Sequence, residues 1–160
     1  MATIPKKTKY RFHYLVPYQR GGRNNQHYLL AKGNKEVGQD NKYGLQAQQG
    51  AEITERQIKA IYNVISRHTR KFADGKHKPW KFNIFPHTSK TKKPLEVRMG
   101  SGKGSIDKWK AVVKVGTVMI ELSDKVPRDI AKQALTQASH KLPKNKSEAK
   151  VKYKIIERHE

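Results

Sequence analysis

Thirty-five lysines and arginines stand against 13 aspartates and glutamates in 160 residues, a formal net charge of +22. A compact chain with that excess repels itself unless a polyanion supplies the counter-charge. Nucleic acid is therefore the expected partner. An anionic membrane surface would attract the same charge, yet no apolar run approaches the roughly 20 residues needed to span a bilayer. The 35% apolar content allows one domain with a modest core and polar extensions. Absence of cysteine excludes disulfides, thiolate-bound zinc and thiol catalysis together. The opening MATIPKKTKYRF has no apolar stretch of the kind a secretory signal needs, and Pro5 with its neighbouring lysines makes a poor targeting helix.

Residues 1–42 carry no sustained periodicity and are expected to form an extended arm and loop, with short strands near Tyr10–Val16 and Tyr28–Ala31. Aromatic and basic residues alternate there (Tyr10, Arg11, Phe12, His13, Tyr14), a composition that stacks on bases and pairs with phosphates. The first helix starts at Thr54, where Thr-Glu-Arg-Gln places Gln57 three residues after the cap in a capping box. Ile58, Ile61, Tyr62, Ile65 and Phe72 follow as one apolar stripe; Arg56, Lys59, Arg67, Arg70 and Lys71 lie largely off it. Ala73-Asp74-Gly75 ends that helix. Trp80–Phe85 alternates as a half-buried strand stopped by Pro86, and Lys90–Lys93 form a basic turn. Trp109–Val115 and Val118–Leu122 are expected to pair as a hairpin across Gly116-Thr117. Pro127 opens a second helix whose narrow face, Ile130, Ala131, Ala134, Leu135 and Ala138, suits close packing on a sheet. After Leu142-Pro143 comes a charged tail with an apolar island at Ile155-Ile156. Ile58, Ile61, Ile65, Ile84, Val112, Ile120, Ile130 and Leu135 are expected to share one core.

Between the β-prone segments sits Arg98-Met99-Gly100-Ser101-Gly102-Lys103-Gly104-Ser105. Its glycines let the backbone reach φ > 0 and turn N–H groups toward an anion, while Arg98 and Lys103 neutralise charge. It is not a Walker A loop, because Val97 and Gly104 occupy the positions that need Gly and Ser or Thr. The dinucleotide fingerprint fails as well, with its third glycine one residue early. No carboxylate pair suits general acid/base or two-metal work, the histidines have no ligand spacing, and Gly100-Ser101-Gly102 has no helix after it to make a nucleophile elbow. An enzyme is not expected, nor a cofactor. A stand-alone RNA-binding or RNA-modifying protein is the alternative.

The run Pro94 to Ser105, with Trp109 four residues on, resembles the signature of the bacterial-type large-subunit ribosomal protein sixteen family. Pro5-Lys6-Lys7-Thr8-Lys9-Tyr10-Arg11 is similar to the family's opening. Tyr43 to Ala47, Ile53 to Ile58, Asn83 to Pro86, Ala111 to Lys114, Gly116, Glu121, Val126-Pro127 and Lys141 to Pro143 fall in family order. Residues 12–42 depart from the pattern, an insertion precedes Trp80, and residues 144–160 run past the usual end. Those departures, a lysine-to-arginine ratio of 26 to 9 and a family opening so close to Met1 that no import sequence fits suggest an organelle-encoded protein. A mitochondrial ribosome is the first expectation, with a plastid or a bacterial cytoplasm as alternatives.

The resemblance implies an α+β fold: an antiparallel sheet with two packed helices, a long basic N-terminal arm, a glycine-rich hairpin loop and a charged C-terminal tail. It divides the chain into a basic arm at 1–42, an rRNA-binding domain at 43–143 and an extension at 144–160. The implied partners are large-subunit rRNA, tRNA and neighbouring large-subunit proteins, with no membrane and no homo-oligomer. The cations expected on rRNA are Lys6, Lys7, Lys9, Arg11, Arg20 and Arg23 in the arm, Arg56, Lys59, Arg67, Arg70 and Lys71 on the first helix, and Lys92 and Lys93 before the loop. The loop itself, Arg98, Met99, Gly100, Ser101, Gly102, Lys103, Gly104 and Ser105, is implied to point toward the tRNA acceptor arms near the peptidyl-transferase region. Arg98 aligns with an arginine that some bacteria hydroxylate.

Overall fold

A computed structural model describes residues 34–74, 77–86, 88–100, 102, 104–143 and 153–158. The strands expected near Tyr10–Val16 and Tyr28–Ala31 lie outside these residues. Strands β1 (Tyr43–Ala47) and β2 (Ala51–Thr54) lead into helix α1 (Glu55–Thr69) and a 3-10 turn, Arg70–Phe72. Then come β3 (Trp80–Phe82), β4 (Thr88–Lys92), β5 (Ser105–Val113), β6 (Val118–Leu122), helix α2 (Arg128–Ser139) and β7 (Tyr153–Glu157). The α+β class holds, but the strands form two antiparallel sheets rather than one, ordered β3-β6-β1-β7 and β2-β5-β4.

The expected hairpin between Trp109–Val115 and Val118–Leu122 does not form, because β5 and β6 belong to different sheets. The reason lies in the turn. Gly116 has φ +82°, and its N–H donates 2.7 Å to the Ala47 carbonyl while the Thr117 carbonyl accepts 3.0 Å from the Ala47 N–H. The end of β1 thus takes the hydrogen bonds that a hairpin would share between its own strands, and β6 runs back along β1 and β3. Lys90–Lys93, expected as a turn, mostly belongs to β4: Thr88–Lys92 pairs with β5 from Thr88↔Lys110 to Lys92↔Ser105. The strand expected at Trp80–Phe85 stops at Phe82.

Helix α1 begins as its sequence dictates, with the Thr54 N–H and hydroxyl both donating 2.9 Å to Gln57 Oε1. Ile58, Ile61 and Ile65 are buried on one side, joining Leu45, Ile120, Leu122 and Leu135 in the core. Tyr62, Trp80 and Phe82 close one edge as an aromatic cluster, with ring centroids 5.0 Å apart for Tyr62–Trp80 and 5.3 Å for Trp80–Phe82. The alanine face of α2 packs mainly on α1 and less on the sheet, since small side chains let two helices approach closely. Val112 is buried but lies outside the main core cluster, and Ile130 sits at its margin. The apolar island of the tail becomes β7, which pairs in register with β1 from Tyr43↔Glu157 to Ala47↔Tyr153.

The other face of the four-stranded sheet holds a carboxylate. Glu121 is completely buried, accepting 2.7 Å from Asn41 Nδ2 and 2.5 Å from Asn83 Nδ2. Two amide donors make burial of that group tolerable. Asn41 belongs to a strap, residues 34–42, that is tied to this sheet at further points. The Asn34 carbonyl accepts 2.8 Å from the Val118 N–H, and the Gln39 carbonyl accepts 2.9 Å from the Arg158 guanidinium.

Replacing Ile61 by Asp is expected to abolish folding, since a buried unpaired carboxylate costs several kcal/mol, about the stability of a small domain; circular dichroism of the purified variant checks this. Burial also pushes the Tyr153 phenol up to about 12. The unfolded phenol ionises near 10, so the stability it contributes is present below pH 10 and lost as pH rises toward 12. Tyr153→Phe should flatten that alkaline loss in pH-dependent thermal melts.

Candidate nucleic-acid interface

The same periodicity that buries Ile58, Ile61 and Ile65 sends Arg56, Lys59, Arg67 and Arg70 to the opposite side of α1. All four, and Lys71 beside them, are exposed. Carboxylates pair elsewhere: Lys42 with Asp124 at 3.0 Å, Lys110 with Glu52 at 2.6 Å, Lys125 with Asp74 at 2.5 Å, Arg128 with Glu157 at 3.0 Å. Among the described residues, none of these five cations has a carboxylate partner. A row of like charges along one helix face is unfavourable in isolation and becomes favourable against phosphates.

The second positive element is the β4–β5 hairpin and the loop it carries. Lys90 stands opposite Lys108 in the register, a like-charge cross-strand pair relieved on one side by Asp107, 3.8 Å from the Lys108 ammonium. Sequence reasoning missed both residues, because only the strand register brings them together. Lys92 is exposed; Lys93 turns inward and donates to the Gly100 carbonyl, so it braces the loop as well as carrying charge. Arg98 is exposed, and so are Leu95, Val97 and Met99, with Met99 fully so.

The glycines divide into two kinds. Gly100 (φ +108°) and Gly102 (φ +83°) adopt left-handed backbone with open space around them. Gly104 is different: a Cβ there would come within 2.6 Å of the Lys92 carbonyl oxygen, so it is required by the closure of the hairpin itself. Ser101, Lys103 and the arm cations Lys6, Lys7, Lys9, Arg11, Arg20 and Arg23 lie outside the described residues, and Ser105 is placed only as the first residue of β5. Among the described residues, no group of three His, Asp or Glu could hold a metal ion, and no helix is long and apolar enough to cross a membrane.

A family model described as ribosomal protein L16p/L10e matches residues 5–147. The chain belongs to that family. It is 46% identical over 140 residues to the large ribosomal subunit protein uL16 of Spiroplasma citri, covering 88% of this chain and 90% of the relative. The protein of that name from Acholeplasma laidlawii is 43% identical over 157 residues, covering 98% and 97%, and the one from Malacoplasma penetrans is 48% identical over 141 residues, covering 88% and 89%. This family member is a structural constituent of the ribosome rather than an enzyme.

Substituting Ala at each loop glycine should separate the two kinds. Gly104→Ala is expected to lower the thermal midpoint by several degrees, about 1–3 kcal/mol of overpacking against backbone. Gly100→Ala and Gly102→Ala meet no neighbouring atom and should lower the midpoint less, through left-handed backbone strain alone. Differential scanning calorimetry of the three variants gives the comparison.

Proposed function

We propose that this protein is a structural component of the large ribosomal subunit that binds large-subunit rRNA through the outer face of α1, with the basic arm at 1–42 and the β4–β5 hairpin as further contacts. The observation that carries this reading is the row of exposed cations, Arg56, Lys59, Arg67 and Arg70, set opposite the buried isoleucines and left without carboxylate partners among the described residues. The names of its bacterial relatives support the subunit. Residues 43–143 act as the rRNA-binding domain, with β7 of the following segment completing its four-stranded sheet.

The loop from Arg98 to Ser105 extends toward the tRNA acceptor arms near the peptidyl-transferase region. Its role there is positional. Small residues admit RNA backbone closely, Arg98 and Lys103 neutralise phosphate, and the chain offers no reacting group. The protein works as a single copy within the particle. The relatives named above are bacterial, so they lend no support to a mitochondrial origin and fit a bacterial cytoplasm.

Binding of the full chain to large-subunit rRNA should weaken steeply with salt, log K falling by about 0.7 to 0.9 per phosphate contact for each unit of log salt. Arg56→Ala combined with Arg67→Ala should fold normally and reduce that slope by roughly 1.4 to 1.8. A flat salt dependence overturns the rRNA assignment. For the loop, Arg98→Ala with Lys103→Ala should preserve incorporation into subunits while lowering tRNA binding and peptide-bond formation. Normal peptide synthesis on loop-deleted particles would reduce the role to scaffolding.

A further inference from the structure

The connection between α1 and β3 places Lys78 against the aromatic cluster. Its ammonium donates to the Tyr62 hydroxyl and lies 4.8 Å from the Tyr62 ring centroid and 5.0 Å from that of Trp80. A cation held over two ring faces keeps little rotamer freedom, so it can meet an anion at a smaller entropic cost than a free surface lysine. Tyr62 follows Lys59 by three residues and is its neighbour on the helix surface. The cation row of α1 therefore continues through Lys78.

Beyond Lys78 opens a cleft of about 460 Å³ whose lining includes His77, Lys81 and, from the strap, Asp40 and Asn41. Lys125 at the rim is engaged by Asp74, and the hydrogen bond between them holds the Asp74 carboxyl below the usual carboxylate range. Among the described residues Lys78 and Lys81 form no ion pair. The cleft volume falls within the range of sites that take small molecules, roughly 300–1,000 Å³.

We propose that this cleft receives a single unstacked nucleotide of the rRNA, with its phosphate against Lys78 and Lys81 and its base edge against Asp40 and Asn41. The proposal rests on the rRNA reading above. A duplex backbone presents only phosphate and sugar here, and Asp40 would repel it. An acidic peptide would meet the same repulsion. An unpaired base instead offers amino or imino donors on its Watson–Crick edge, which a carboxylate and an amide oxygen accept, while its own phosphate satisfies the lysines.

The test uses large subunits assembled with the full chain, probing the rRNA with a reagent specific for unpaired bases. Lys78→Ala combined with Lys81→Ala should raise the reactivity of one nucleotide several-fold and reduce the salt slope of rRNA binding by roughly 0.7 to 0.9. Asp40→Asn should raise reactivity at the same nucleotide without changing the slope. Tyr62→Phe, which keeps the ring but removes the hydrogen bond from Lys78, should produce a smaller change at that position. Unchanged reactivity in the Lys78/Lys81 and Asp40 variants, while the Arg56/Arg67 variant still loses affinity, overturns the cleft and leaves the rRNA reading standing. Loss of effect in both sets removes both. A crosslink from the cleft to a protein rather than to rRNA also overturns the proposal.

Discussion

The packing of one helix stripe organises this molecule. Ile58, Ile61 and Ile65 share one buried cluster with Leu45, Ile120, Leu122 and Leu135 because burying aliphatic surface is worth about 1.5–3 kcal/mol per side chain. Once that face is committed, geometry leaves Arg56, Lys59, Arg67 and Arg70 no position except solvent. The charge excess that opposes folding is thus sorted by the core onto a surface where an anion can relieve it. Stability and recognition depend on the same period of 3.6 residues.

That dependence explains why α1 was legible in the sequence. The capping box at Thr54 and Gln57, the apolar stripe and the stop before Gly75 are all local signals, and each of them has its counterpart in the fold. The second helix was readable for the same reason. What was not readable depended on partners far away in the chain. Trp109–Val115 and Val118–Leu122 look like a hairpin because a glycine turn joins two β-prone runs, but Ala47, some 70 residues earlier, takes the turn's hydrogen bonds. Lys90–Lys93 looks like a turn because it is polar; it becomes strand because β5 offers it an edge.

The candidate interface follows the same division. Cations on the helix could be named from periodicity, and the glycine loop from composition. Lys90, Lys108 and Lys78 could not, since the first two acquire meaning only from cross-strand register and the third from its seat on Tyr62 and Trp80. Gly104 shows the limit of composition most clearly. Three glycines in one loop read alike, yet only Gly104 lies against backbone, so its absence of a side chain serves the hairpin rather than a ligand.

Glu121 adds a constraint on direction. A carboxylate buried without a cation requires donors, and Asn41 and Asn83 supply them from opposite sides of the sheet sequence. Asn41 can do so only while the strap lies across the sheet, so the desolvation cost of one glutamate becomes a force holding residues 34–42 in place. The strap is pinned at its first described residue as well, where the Asn34 carbonyl accepts from the Val118 N–H. The buried carboxylate, which contributes nothing to the positive surface, therefore helps determine how residues 34–42 cross the sheet.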